Sequence, residues 1–171
     1  MIVLTLGKSA LEKFEAALRD ARHQEIGGVL AGEHIADNVF EVVDFSVQKN
    51  GGTSVCFTRT TKTHQKFLKS FFDKTGHDYQ RYNYLGEWHS HPSFPAIPSG
   101  TDLSQMAAIA QDPTQSGQFV ILIIVRLDSR SKLQLHASAH MRDGSVQNVL
   151  VQHCHNNTML TEIGTGRDEG V

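Results

Sequence analysis

The run Phe119-Val120-Ile121-Leu122-Ile123-Ile124-Val125 constrains the fold more than any other stretch of this chain. It is far shorter than the roughly 20 apolar residues that span a bilayer as a helix, and a strand apolar at every position has both faces buried. The surrounding pattern supplies the covering layers. Leu11, Phe14, Leu18 and Ala21 mark one face of a helix that opens on a Ser9/Glu12 capping box and fades near 22–24. A second helix is expected from Thr61, with Phe67, Leu68, Phe71 and Phe72 as core, His64 at the boundary and Gly76 as C-cap. A third follows near Thr101.

Strands are expected at 1–6, after Glu25, at 39–47, 55–57, 82–88, 133–141 and 146–151, with a hairpin turn at Ala36-Asp37-Asn38 and a loop from Lys49 to Thr53. Alternation across 133–141 sets His136 and His140 on a solvent side. Gly27 and Gly28 signal either close backbone approach or an open edge, and a simple turn is an equal alternative. The fold class is therefore α+β in three layers, a mixed and mostly antiparallel sheet flanked by helices.

A length of 171 residues suits one domain, drawn here as 1–152, with 153–171 as a polar tail. Sixteen basic residues against eighteen acidic ones argue against a phosphate-tracking surface or an anionic membrane, so neither nucleic acid nor membrane is expected as a partner. Two distant cysteines, Cys56 and Cys154, make no disulfide framework, and no signal peptide is read at Met1; a cytoplasmic protein is expected.

Chemistry concentrates between Gly86 and Asp102. His89 and His91, two apart on an extended segment ending at Pro92, project to one face, while Trp88 projects to the other. Pro95 and Pro98 hold the following loop out of helix, and Ser99 then N-caps a helix whose first turn carries Asp102. Ser99-x-x-Asp102 is a capping motif in its own right. With two imidazoles beside it, however, the carboxylate completes a three-ligand zinc set, and three protein ligands with one open position is a catalytic arrangement. His153-Cys154-His155 lacks a fourth ligand at such spacing and is not read as a site.

The order His89-x-His91, seven residues, Ser99-x-x-Asp102, preceded by Glu25-Ile26-Gly27-Gly28-Val29-Leu30-Ala31-Gly32, resembles the JAMM family, also called JAB or MPN-positive metallopeptidases. The resemblance implies the JAMM/MPN, cytidine-deaminase-like fold over about residues 1–150. It implies one Zn²⁺ per chain on His89, His91 and Asp102, Glu25 as general acid/base, and Ser99 as a donor to the oxyanion. These roles suit the residue types, since an attacking water needs a carboxylate to move its proton and developing charge needs a donor. Glu87 lies on the histidine side of the same strand and is, by residue type and position, an equally placed base or an orienting partner.

The activity implied is zinc-dependent peptidase or isopeptidase cleavage after the C-terminus of a ubiquitin-like protein or its conjugate. The resemblance is greatest to bacterial JAB peptidases of conjugation and antiphage operons, with E1- and E2-like proteins as pathway partners. A sulfur-carrier-processing peptidase is the alternative within the fold, and a noncatalytic MPN scaffold the alternative outside catalysis. The RadC-like group shares HxHP but differs in the loop, here Phe94-Pro95-Ala96-Ile97.

Overall fold

The computed structural model describes residues 1–49, 62–155 and 158–163. The expected strand 55–57, the loop beyond Lys49 and the Thr61 helix start lie outside them. In chain order the elements are β1 (Ile2–Leu6), α1 (Lys8–Ala21), β2 (Ile26–Ala36), β3 (Val39–Phe45), β4 (Gln48–Lys49), α2 (Lys62–Lys74), β5 (Tyr82–Ser90), α3 (Gly100–Gln111), β6 (Phe119–Leu127), β7 (Leu133–Met141), β8 (Val146–His155) and β9 (Thr158–Ile163). The strands form one sheet in the order β1-β3-β2-β5-β6-β7-β8-β9, with β4 on β2, and β1 also pairs with β8 so that the path returns to its start. Among the described residues, only β1–β3, β1–β8 and β5–β6 are parallel. This is the mixed, mostly antiparallel α+β sheet expected from the sequence. Among the described residues no helix is long and apolar enough to cross a membrane.

β6 divides the interior. Ile121, Ile123 and Val125 join a large core around Leu11, Phe14 and Leu18 of α1, whereas Val120, Leu122 and Ile124 join a smaller one with Met106 and Ala110 of α3. Both faces of this strand are buried because a helix lies over each. The same cover corrects one expectation. Ser138 and His140 of β7 are 2% and 1% exposed, not solvated, because α3 packs on their face of the sheet. Alternation distinguishes two faces without saying what covers the second.

His64 is likewise fully buried instead of lying at a boundary. Its Nδ1 shares a 2.9 Å hydrogen bond with Ser46 Oγ, which also accepts the Val29 N–H at 2.9 Å. The Ser9/Glu12 box does not form: α1 begins two residues earlier, with Gly7 as N-cap and no side-chain cap bond. α2 ends as expected, with Gly76 at φ 66° and the His77 N–H returning to the Phe72 carbonyl at 2.9 Å.

Two glycines allow close passage. A Cβ on Gly28 would stand 2.1 Å from the Ser46 carbonyl oxygen, the same oxygen that accepts Trp88 Nε1–H at 2.9 Å. Gly86, at φ 148°, brings β5 so near β6 that a Cβ would lie 1.9 Å from the Ile121 oxygen. Gly27 pairs with Gln48 on one side and His89 on the other, so β2 is not an open edge there. The hairpin of β8 and β9 also crosses the 152/153 boundary drawn from sequence: residues 153–155 continue β8, and residues 158–163 pair back on it. A polar composition does not prevent pairing where a strand edge has backbone groups to satisfy.

Candidate metal centre

Three elements converge at the C-terminal end of β5. His89 lies in the last turn of the strand's pleat, between Gly27 of β2 and Ile124 of β6. His91 follows just beyond the strand, its N–H held by the Val125 carbonyl at 3.0 Å. Asp102 arrives on the first turn of α3, buried, where its N–H donates to Ser99 Oγ at 3.2 Å and its Oδ2 accepts the Ser99 N–H at 2.7 Å. That reciprocal capping box is the one expected at Ser99-x-x-Asp102, and it fixes the carboxylate with its other oxygen turned to His89.

The donor atoms face one another. His89 Nε2 lies 3.1 Å from His91 Nε2 and 3.4 Å from Asp102 Oδ1, and His91 Nε2 lies 3.7 Å from Asp102 Oδ2. One ligand atom from each of the three residues falls within 4.8 Å of the others. Tetrahedral bonds of about 2.0–2.1 Å would separate ligand atoms by roughly 3.3–3.4 Å, so this donor set fits a divalent ion such as zinc in both chemistry and spacing. Burial alone would raise the Asp102 pKa, but hydrogen bonds from His89 and from Ser99, with the charge on His89, hold the carboxyl well below the usual range. It is an anion wherever the protein is folded near neutral pH.

His91 also shows its tautomer. Nδ1 is 3.0 Å from the Pro95 carbonyl oxygen, which only accepts, so Nδ1–H donates to it and Nε2 is left facing the cluster. Nothing in the sequence pointed to this backbone acceptor, because any residue supplies a carbonyl.

Glu25 is half-buried and lies immediately before β2. Gly27 is opposite His89 in the antiparallel ladder, so carrying alternation two residues back sets Glu25 on the same face, level with His91. Ile26 N–H donates to Ser90 Oγ at 2.9 Å and pins the two strand ends together. Glu87 shares that face too, but it pairs with Val29 and Leu122 in the middle of the sheet and is only 6% exposed. Around the cluster, Phe94 meets the His91 ring edge-on at 6.5 Å and is exposed, as are Ile97 and Leu103.

The fold is that of a JAB-domain protein. The chain belongs to the family described as prokaryotic homologs of the JAB domain, which it matches over residues 7–142. It is 26% identical over 146 residues to a CD-NTase/cGAS isopeptidase of Enterobacter hormaechei subsp. hoffmannii, covering 83% of this chain and 77% of that one. It is also 28% identical over 119 residues to the 26S proteasome regulatory subunit rpn11 of Schizosaccharomyces pombe, covering 62% of this chain and 38% of the subunit, so it spans well under half of that relative. Among solved structures it is similar in fold to a protein of Desulfitobacterium hafniense, with TM-score 0.58, 22% identity and coverage of 90% and 96% of the two chains. A Salinibacter ruber protein gives TM-score 0.54 and 21% identity, covering 95% and 99%.

Proposed function

We propose that this chain is a zinc-dependent isopeptidase that cleaves the bond joining the C-terminus of a ubiquitin-like protein to its target. The convergence of His89, His91 and Asp102 at one end of β5 carries the reading. Similarity to a CD-NTase/cGAS isopeptidase supports the reaction class, and in this reading the setting is a bacterial antiphage conjugation pathway with E1- and E2-like partners.

In this reading His89, His91 and Asp102 hold one zinc ion, which when bound makes water more acidic and polarises a carbonyl oxygen. Glu25, on the ligand face and half-open to solvent, takes the proton of the attacking water on its carboxylate and delivers it to the departing amine. The depth of Glu87 in the sheet favours Glu25 for that exchange and leaves Glu87 to orient His89 from below. Ser99 Oγ accepts the Asp102 N–H, so its own O–H is available to donate to the charge that develops on the carbonyl oxygen.

The test is cleavage of a ubiquitin-like fusion by the purified protein with and without chelator, beside Asp102→Ala, Glu25→Ala and Glu87→Ala. Chelator and Asp102→Ala should abolish cleavage, and Glu25→Ala should lower its rate by about 10²–10⁴-fold with zinc still bound. Full activity in Glu25→Ala would reject its role. A protein that binds no metal would reject the catalytic reading and favour a scaffold.

A further inference from the structure

The segment that carries the Pro95 carbonyl has little backbone bonding of its own. Between His91 and Ser99 the residues Pro92, Pro95 and Pro98 have no N–H to donate, and the backbone bond recorded within the loop is Ile97 N–H to the Pro95 carbonyl at 2.8 Å. Its position is set from β6. Val125 receives the His91 N–H at 3.0 Å, and the next residue, Arg126, donates from Nη1 to the Phe94 carbonyl at 2.9 Å. Arg126 Nε is closed off from solvent, so the guanidinium does not simply extend into water. One residue beyond Phe94, the Pro95 carbonyl accepts His91 Nδ1–H at 3.0 Å.

We propose that Arg126 is a positioning residue for His91: by clamping the Phe94 carbonyl it fixes the Pro95 carbonyl beside it, which selects the Nδ1–H tautomer and aims Nε2 at His89 and Asp102. The argument is geometric. Two successive residues of one rigid strand grip both ends of the segment 91–94, and the carbonyl that orients the ring is the next along the chain. Arg126 touches none of the reacting groups, so it acts through His91. The inference rests on the metal reading proposed above.

Arg126→Met keeps the aliphatic stem and removes the donors; Arg126→Lys keeps a single donor. Imidazole ¹⁵N spectra of the metal-free proteins should show His91 locked as the Nδ1–H tautomer in the parent and in exchange between tautomers in Arg126→Met. Competition with a chromogenic chelator should show zinc affinity about 10- to 100-fold weaker in Arg126→Met, the range typical of lost partners behind a metal ligand, with most of it recovered in Arg126→Lys. Thermal unfolding of each metal-free variant checks that it is folded. An Arg126→Met protein whose His91 keeps a single Nδ1–H tautomer overturns the inference, whatever its zinc affinity. A parent protein that binds no zinc would instead overturn the metal reading, and the metal-free tautomer comparison would still decide the role of Arg126.

Discussion

The two faces of the sheet are built to different ends. On the α1 face every strand from β1 to β8 except β4 contributes apolar side chains, and Trp88, Phe14 and Phe45 meet at ring-centroid distances of 4.0–5.2 Å. On the α3 face the apolar cluster is small, and polar groups share it: Glu87, His89, Asp102, Ser138 and His140. Neighbouring residues of β5 thus belong to different jobs, Trp88 to the packed core and His89 to the cluster. Non-directional burial, in rough proportion to area, stabilises the first face. The second face gives up some of that burial to hold ionisable groups in fixed geometry, which its neighbours on the first face make rigid.

The comparison is broken most directly by truncating each face in the metal-free protein. Trp88→Ala should lose about 3–5 kcal/mol of stability, read as a lower urea midpoint with unchanged slope, because it leaves a cavity among the rings and strands the Ser46 carbonyl. Asp102→Ala should cost less, since it loses the hydrogen bonds of a small side chain but opens no comparable cavity. Equal losses in the two variants would mean that the α3 face is as much a stabilising core as the other.

A smaller effect sharpens the roles at α3. Ser99→Ala removes the N-cap and should cost about 1 kcal/mol, whereas Ser99→Asp restores a cap but has no hydrogen to donate. Stability should therefore return in Ser99→Asp while cleavage stays low; wild-type cleavage in that variant would remove Ser99 from the chemistry.

The smallest effect is on pH dependence. Burial lowers the pKa of His64, of His136 and of His140, the last also through repulsion from His136. Each is therefore neutral in the folded protein and takes up a proton more readily when unfolded. Their contribution is complete above the unfolded value of about 6.5 and is lost as pH falls below it toward the lowered native values. Unfolding midpoints should decline from neutral pH downward, and less steeply in His64→Gln and His140→Gln. An unchanged slope in both would show that other groups govern the decline.

Much of the fold and the candidate site was legible in the chain. The unbroken apolar run fixed a strand buried on both faces, since no other arrangement hides consecutive side chains of a strand. The spacing His89-x-His91 and Ser99-x-x-Asp102 encoded two local geometries, an extended pair and a first helical turn, and both formed because local backbone preference sets them. What lay over a face was not legible. His64 and His140 are polar by type and buried by context, and the helices that bury them are brought there by contacts distant in sequence. The return of β1 to β8, the meeting of β5 with α3 that gathers the donor atoms, and the grip of Arg126 on a carbonyl 32 residues earlier are likewise products of long-range packing. Local sequence determines which side chains share a strand or a turn; only tertiary structure decides which strand and which turn become neighbours, because that choice is made by burial summed over the whole chain.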